Sequence, residues 1–322
     1  MLDPRHIQAL KAWDLDDWIP DRCFAQMFAD PGFPLACREI SARMIAAAAG
    51  DVMFDGMVKD AGRYVAAIWA AYLHVTDSLT LPHLKELCAA SGLLSPGRAR
   101  AMLLYLQFLG YVRPAPSTRG EARRYVATPA LMQALRRQIQ AGLEAASLIE
   151  PAAAALSAEM EDPDLLNAFI RHQGEGFIAA VPQYDTEAPI FRLLYHRHAG
   201  MQLLHLILLA APNDQRFPPR GAATISVAAV ARQLRVSRAH IMRMLGDAEQ
   251  FGLLVREADG SFRIDEAAGL NVKHYFATRL MGFLICGAKA VLHAGWRPSL
   301  DGQFAFPPSR RTSPGPEEPR AH

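Results

Sequence analysis

Apolar residues recur at helical spacing along most of the chain, and short β-branched or aromatic runs interrupt them in a few places. In SPGRARAMLLYLQFLGYVR, which runs from Ser95 to Arg113, the apolar side chains fall three or four residues apart and so share one helix face. We therefore predict a mainly α-helical protein with two small β-hairpins. The predicted helices span 35–49, 57–75, 81–91, 96–109, 129–147, 163–180, 188–210, 227–234, 238–251 and 266–293, and the predicted hairpins span 111–127 and 253–264.

The order of predicted elements occurs twice. A shift of 142 residues aligns Ser95 with Ser237 and Gly110 with Gly252, together with the apolar positions between them. Serine is a preferred N-cap, and glycine tolerates the left-handed conformation that often ends a helix. Because cap, terminal glycine and following hairpin stay in register, the sequence predicts an internal duplication with pseudo-twofold symmetry.

We predict four segments from this organisation. Residues 1–34 form an irregular N-terminal segment, 35–150 a first helical half and 151–296 a second helical half. The remaining segment, 297–322, contains six prolines and has no apolar period, so we expect it to be disordered. We expect the internal interface between the halves to come from the flanking helices at 57–75, 129–147, 188–210 and 266–293.

Helix, tight turn, capped helix, glycine and hairpin is the order of a winged helix-turn-helix. TISVAAVARQLRVSRAHIMRMLGDAEQFGLLVRE resembles this module in bacterial transcriptional regulators. LTLPHLKELCAASGLLSPGRARAMLLYLQFLGYVRP, with RRYVATPAL after it, resembles the module of MarR-type regulators. The resemblance covers about two thirds of the chain, at 55–147 and 185–293, and implies sequence-specific binding of double-stranded DNA by two recognition helices in adjacent major grooves. Such regulators are usually homodimers, whereas this chain has two modules, so a homodimer or another protein partner stays open.

The outward faces of the two recognition helices supply the candidate DNA contacts, since their N-terminal residues would meet base edges. Arginine can pair with guanine or hold a phosphate, and a capped helix N-terminus can also meet phosphate. The predicted DNA-binding residues are Ser95, Arg98, Arg100, Arg119, Arg123, Arg124, Ser237, Arg238, His240 and Arg243. Leu104 and Phe108 also fall on the outward face, where DNA would favour polar residues, so two roles stay open for them: packing on a neighbouring element or forming a protein-binding surface.

Charge supports local rather than general attraction to DNA. The chain has 34 basic and 32 acidic residues, a net charge of +2, so any nucleic-acid site must be a local basic surface. Residues 95–125 hold six arginines and one acid, whereas 224–264 hold six arginines and four acids. We therefore expect the first wing, with Arg119, Arg123 and Arg124, to supply more of the salt-dependent affinity.

The sequence gives little support for catalysis, nucleotide binding or a metal site. No GxGxxG follows a predicted strand and no GxxxxGK[ST] occurs, so we expect no enzymatic activity and no cofactor. His196, His198 and His205 fall on the predicted 188–210 helix, and we expect them to hold no metal. A small-molecule effector stays open, in a pocket that aromatic side chains could line: Trp13, Trp18, Trp69, Tyr72 and Tyr195.

The four cysteines form no CxxC pair, and the two most apolar runs are shorter than a membrane span of about 18 residues. We expect a cytoplasmic, nucleoid-associated protein with reduced thiols and no membrane contact. Two alternatives stay open for the function. One is a plasmid-type replication initiator with two winged helices, and the other is a winged-helix protein-interaction module that does not bind DNA.

Overall fold

The computed structural model describes residues 2–15, 19–91, 94–116, 122–180, 190, 193–194 and 196–293. Within these ranges the protein is mainly α-helical, with two short antiparallel hairpins, which confirms the predicted class. The tail at 297–322, which we expect to be disordered, lies outside the described residues.

The helices and strands follow the predicted order closely. The helices are α1 (Pro4–Leu10), α2 (Asp21–Ala29), α3 (Phe33–Gly50), α4 (Val52–Val58), α5 (Ala61–Val75), α6 (Leu81–Ala90), α7 (Pro96–Phe108), α8 (Pro129–Ala146), α9 (Ala152–Ala158), α10 (Pro163–Ala180), α11 (Gly200–Ala210), α12 (Val227–Gln233), α13 (Arg238–Gln250) and α14 (Glu266–His293). The strands are β1 (Val112–Pro114), β2 (Tyr125–Ala127), β3 (Leu254–Arg256) and β4 (Phe262–Ile264). Short 3-10 turns lie at Lys11–Trp13 and Glu159–Glu161.

The prediction of an irregular segment at 1–34 is wrong, because α1, α2 and the start of α3 lie there. The Asp3 carboxylate accepts hydrogen bonds from two backbone N–H groups of α1. Pro20 is the N-cap residue of α2, and Pro34 occupies the first turn of α3. Proline is favoured in the first turn, where its missing N–H costs nothing. Pro20 and Pro34 therefore mark helix starts inside the segment that we expected to be irregular.

Two predicted helices are interrupted. The helix expected at 57–75 is divided into α4 and α5, because Asp60 has extended backbone and caps α5 by accepting the N–H of Arg63 at 3.0 Å. The continuous helix expected at 188–210 is also wrong. Residues 196–199 form a turn, and Ala199 takes a left-handed conformation, with φ of 62°, directly before α11.

The core lies between the helices that flank the two hairpin-bearing segments. Helix α10 packs against α5 and α14, helix α8 packs against α3, α9 and α14, and α11 packs against α3. Small residues permit the close approaches: a Cβ on Gly142 would lie 2.3 Å from the Phe283 ring, and one on Gly287 would lie 2.3 Å from Leu156. Elements of the two sequence halves therefore share one core.

One helix among the described residues, Glu266–Leu292, has the length and apolar composition to cross a membrane. The apolar run at the end of this helix is thus one part of the long helix that we predicted at 266–293. Since 67% of the most apolar window is buried inside the fold, the helix has the character of a core helix, and it is weak evidence for a membrane span.

Candidate nucleic-acid interface

Two segments contain a helix, a turn, a second helix and a hairpin in the same order. We call α6, α7, β1 and β2 the N-terminal unit, and α12, α13, β3 and β4 the C-terminal unit. The first helices start in the same way, because the Thr80 hydroxyl caps α6 and the Ser226 hydroxyl caps α12. The two units therefore share their local build as well as their order.

The second helices also begin and end alike. The Ser95 hydroxyl accepts the backbone N–H of Arg98 at 3.3 Å, and the Ser237 hydroxyl accepts that of His240 at 3.1 Å. Gly110 and Gly252 follow the two helices, each with φ of +71°, a conformation that side chains disfavour. The N-caps and terminal glycines expected from the sequence are confirmed.

The hairpins gain a third extended segment in both units. Thr80, before α6, forms an antiparallel bridge with Arg124 next to β2, and Ala223, before α12, forms one with Phe262 in β4. In the C-terminal unit this bridge has two backbone hydrogen bonds, of 2.6 Å and 3.0 Å, between Ala223 and Phe262. Each hairpin is thereby fixed to the segment that precedes its own first helix.

The outward faces of α7 and α13 lie where the helical spacing predicted them. Arg98, Arg100, Arg238 and Arg243 are exposed, and His240 is half-buried. The inward positions that the shift of 142 residues aligns are buried in most cases, for example Ala99 with its counterpart in α13. The exposed arginines give each second helix a basic N-terminal half.

Arg98 is held by an ion pair inside the protein. Its guanidinium Nη2 lies 3.5 Å from the Asp60 carboxylate, whose side chain is only 6% exposed. The same carboxylate pairs with Arg63 Nε at 3.1 Å, and the Arg63 guanidinium stacks over the Tyr105 ring of α7. Asp60 thus connects the cap of α5 to the first turn of α7.

His240 has the equivalent place in the C-terminal unit. Its Nε2 lies 2.8 Å from the backbone carbonyl of His198, and its Nδ1 lies 3.1 Å from Arg243 Nη2. A carbonyl only accepts and a guanidinium only donates, so these contacts select the neutral tautomer with the proton on Nε2. His240 therefore holds Arg243 while it is itself held by the turn at 196–199.

The two residues that hold Arg98 and His240, namely Asp60 and His198, meet across the interface between the halves. The backbone N–H of Ala199 donates to the carbonyl of Lys59 at 2.6 Å, which joins the residue after His198 to the residue before Asp60. Burial lowers the pKa of the His198 side chain, and the positive charges of Arg63 and Lys59 lower it further. Similarly, burial lowers the pKa of His196, and the nearby positive charge of Arg98 lowers it further.

A buried ionic cluster supports this junction. The Lys59 ammonium lies 2.8 Å from the Asp55 carboxylate, and it donates to the Leu234 carbonyl at 2.7 Å and to Gln202 Oε1 at 3.2 Å. Gln202 in turn donates to Asp55 at 2.9 Å, and Arg235 approaches the same carboxylate at 3.6 Å. Leu234 and Arg235 belong to the turn between α12 and α13, so the cluster joins α4 of one half to the C-terminal unit of the other.

This chain of contacts limits the separation of the second helices. The contacts run from Arg98 to Asp60, from Lys59 to Ala199, and from His198 to His240. Even if every side chain and bond along this path were fully extended, the Cα atoms of Arg98 and His240 would lie no more than about 30 Å apart. One turn of B-DNA is about 34–36 Å. The first turns of α7 and α13 therefore lie in one region of the molecule, and the distance between them is shorter than one turn of B-DNA.

The hairpin of the N-terminal unit, which we expect to act as a wing, is only partly described. Arg123 is exposed, and Arg124 Nη2 donates to both the backbone carbonyl and the carboxylate of Asp77 at 2.6 Å. Arg119 lies outside the described residues. Of the arginines expected to bind DNA, Arg124 thus has an internal partner that it would have to share or release.

In the C-terminal unit, acidic residues are paired with arginines of the protein. Arg256 contacts Glu249 at 3.1 Å, Arg263 contacts Glu257 at 2.7 Å, and Arg197 from the turn before α11 pairs with an aspartate of α13, Asp247. The exposed arginines of this unit outside these pairs include Arg232 on α12 and Arg238 and Arg243 on α13.

A partly open cavity of about 60 Å³ lies beside the junction. Its lining includes Tyr64, Tyr275 and Arg279, together with Lys59 and Asp60 from the junction. The aromatic residues proposed as a pocket lining are placed differently. Trp69 is fully buried in the core, Trp13 donates to Glu150, Tyr72 packs against Gly174, and Trp18 and Tyr195 lie outside the described residues.

The surroundings of His205 and of the cysteines fit a structural role. His205 is buried, and its Nδ1 lies 2.9 Å from the Ser41 hydroxyl; burial, with a smaller effect of the Arg279 charge, lowers its pKa to about 3. In the described part of the chain, no group of three His, Cys, Asp or Glu side chains is arranged to hold a metal ion. All four thiols are free, and burial raises the pKa of Cys37, Cys88 and Cys286.

Comparison with protein families, curated proteins and solved structures found no match to this chain.

Sequence reasoning missed the residues that connect the two units. Asp60 carried a usable signal, because aspartate is a preferred N-cap and α5 starts directly after it. His198 carried none, since it acts through its backbone carbonyl. Lys59 has a local partner in Asp55, four residues before it, but its contacts with Gln202 and Leu234 lie 143 and 175 residues away.

Proposed function

We propose that this protein is a transcriptional regulator that binds double-stranded DNA sequence-specifically, with the two units acting as winged helix-turn-helix modules related by duplication. In this proposal α7 and α13 are the recognition helices, and they enter major grooves from one chain. The observation that carries it is the occurrence of two units with equivalent caps, glycines and bridges, each presenting arginines at the N-terminal half of its second helix.

The proposed DNA contacts follow from exposure and from internal partners. Arg100 and Arg238 are exposed and have no ion pair with another described residue, so they are free to meet base edges or phosphates. Arg243 is exposed and oriented by His240. Arg98 would divide its donors between Asp60 and DNA, because a guanidinium carries five N–H groups. The caps Ser95 and Ser237 leave their helix N-termini exposed, where backbone N–H groups favour phosphate.

The two recognition helices differ in sequence, and the wings differ in charge. We therefore expect an asymmetric site, with salt-dependent affinity concentrated at the N-terminal wing. Since the first turns of α7 and α13 lie closer than one helical turn, we expect the bound duplex to bend toward the protein if both grooves are read together. A perfectly palindromic site would contradict the expected asymmetry and would indicate a homodimer that uses one module per chain.

The experiment is selection of random duplexes by the purified protein at physiological salt, followed by affinity measurement on the selected site. Replacing Arg100 and Arg243 together by alanine should weaken binding about 100-fold, because each specific arginine contact contributes about 1–3 kcal/mol. The matched control replaces two exposed arginines away from the second helices, Arg22 on α2 and Arg216 in the loop between α11 and α12, and should change the affinity less than threefold. The proposal fails if no sequence is enriched, or if the two double variants lose affinity equally.

The wing is tested separately. Changing Arg119, Arg123 and Arg124 to alanine should flatten the dependence of log K on log salt, with the slope reduced by about 1 for each phosphate that the wing no longer neutralises. An unchanged slope would remove the wing from the proposed interface.

One observation favours a second function, a protein-interaction module. Leu104 and Phe108 are 55% and 83% exposed on the outward face of α7, in the half of the helix that leads to Gly110. DNA backbones disfavour such apolar surface, whereas protein partners bury it. Replacing both by serine should leave DNA affinity unchanged if the regulator proposal is right, and should abolish partner capture if this face docks a protein.

A further inference from the structure

We propose that the contacts between the second helices and the interface of the halves form a clasp, and that Asp60 and His240 are positioning residues that fix the separation of α7 and α13. The clasp consists of Arg98 with Asp60, His240 with the His198 carbonyl, and the backbone hydrogen bond that joins these two anchors. Its consequence for DNA rests on the proposed function, but its effect on helix separation does not.

The first argument is positional equivalence. Arg98 and His240 are related by the same shift of 142 residues as Ser95 and Ser237, and each donates its backbone N–H to the capping serine of its helix. Although the two side chains differ in chemistry, each contacts a residue at the start of the helix that precedes its own unit, α5 for Arg98 and α11 for His240. Asp60 caps α5, and His198 precedes Ala199 at the start of α11.

The second argument is that the anchors are connected by rigid, buried groups. The Ala199 N–H reaches the Lys59 carbonyl at 2.6 Å, so the starts of α5 and α11 are held together by backbone. The Asp60 and Lys59 side chains are 6% and 5% exposed, and both are engaged by charged partners. Side chains that are buried and paired in this way have little freedom to let the helices drift apart.

The third argument concerns specificity. His240 accepts from Arg243 through Nδ1 and donates to the His198 carbonyl through Nε2. It therefore performs two tasks: it fixes α13 to the clasp, and it orients the arginine proposed to read a base. These tasks use different atoms of one ring, and different substitutions can separate them.

A glutamine at position 240 can place its amide nitrogen near the position of Nε2, and an asparagine can place its amide oxygen near that of Nδ1. His240→Gln should therefore keep the bond to His198 and release Arg243, whereas His240→Asn should do the reverse. Asp60→Asn keeps the N-cap of α5, since asparagine caps equally well, and removes the charge that pairs with Arg98. Asp51→Asn is the matched control, because Asp51 also caps a helix, α4, and pairs with an arginine, Arg137, outside the clasp.

Helix separation is measured without DNA. Spin labels are attached to cysteines introduced at Ala101 and Ala239, which are exposed on α7 and α13, in a Cys23→Ser background that removes the least buried native thiol. Pulsed electron paramagnetic resonance should give one narrow distance for the otherwise unchanged protein, for Asp51→Asn and for His240→Gln. Asp60→Asn and His240→Asn should give longer and broader distributions. If both of these variants keep the narrow distance, the clasp is refuted.

Base preference and spacing are then read on DNA. In a duplex library in which the distance between half-sites varies by single base pairs, Asp60→Asn and His240→Asn should accept a wider range of spacings. His240→Gln should keep the original spacing and reduce discrimination about tenfold at the base pair that Arg243 reads. If His240→Gln accepts a wider range of spacings and His240→Asn keeps the original one, the assignment of helix fixing to Nε2 and of arginine orientation to Nδ1 is wrong. If the unsubstituted protein selects no DNA, the proposed function fails while the distance measurement still decides the clasp.

Discussion

Replacing Lys59 by methionine tests whether the buried cluster stabilises the junction between the halves. Methionine has nearly the length of lysine and fills the same space, but it removes three interactions of the ammonium group: with Asp55, with Gln202 and with the Leu234 carbonyl. The Asp55 carboxylate, whose side chain is 9% exposed, would keep the amide of Gln202 at 2.9 Å and Arg235 at 3.6 Å.

Removing one partner of a buried ion pair costs about 3–5 kcal/mol, because the other charge is left in a poorly solvated site. Arg235 is 46% exposed and compensates only part of this charge, so we expect a loss of about 3 kcal/mol for Lys59→Met. Adding Asp55→Asn removes the stranded charge and keeps a hydrogen bond to Gln202. The double variant should therefore recover at least half of the loss.

The assay is urea unfolding followed by far-UV circular dichroism, with Lys85→Met as the control for removing a lysine that lies on α6, outside this cluster. The control should change the free energy of unfolding by less than about 0.5 kcal/mol. A loss below about 1 kcal/mol for Lys59→Met, or a double variant less stable than the single one, would refute the stabilising role of the cluster.

Further predictions concern stability. The pKa of His205 is about 3 in the fold and 6.5 when unperturbed, so the unfolded chain binds the proton first and stability falls as the pH drops below 6.5. At pH 5 this amounts to about 2 kcal/mol, and His205→Asn should flatten the pH dependence of urea midpoints between pH 7 and 5; equal slopes would contradict this. Gly142→Ala places a methyl group against Phe283 and should cost about 1–3 kcal/mol, whereas Gly246→Ala, with no atom within 4 Å of its Cβ, should stabilise by up to about 1 kcal/mol. The thermal midpoint should fall for Gly142→Ala and rise for Gly246→Ala. A shift in the same direction for both variants would contradict the packing argument.

The features predicted correctly from sequence are those that short segments determine. Ser95 and Ser237 cap their helices because a serine hydroxyl reaches a backbone N–H three residues on, and Gly110 and Gly252 end them because glycine alone adopts positive φ freely. The exposed face of α7 follows from helical spacing. These interactions involve neighbours in the chain, so the local pattern contains all the information that they need.

The features that sequence reasoning missed depend on residues far apart in the chain. The left-handed Ala199 breaks a helix that the apolar pattern favours, and its N–H pairs with the Lys59 carbonyl 140 residues away. Alanine is a strong helix former that rarely takes this conformation, so no local rule could have placed a turn there. The expectation of an irregular segment at 1–34 failed for a more local reason, because Pro20 caps α2 and Pro34 lies in the first turn of α3, and proline is compatible with the start of a helix.

The clasp and the cavity together suggest why the junction is built from polar groups. An apolar interface between the halves would have been simpler to stabilise, since buried ion pairs often contribute little net stability. A polar cluster instead fixes one relative position of the two halves, because each charge has its partners only in that arrangement. Lys59 and Asp60 line the cavity and also belong to the cluster and the clasp, respectively. A molecule bound in this cavity would therefore contact residues of both the cluster and the proposed clasp.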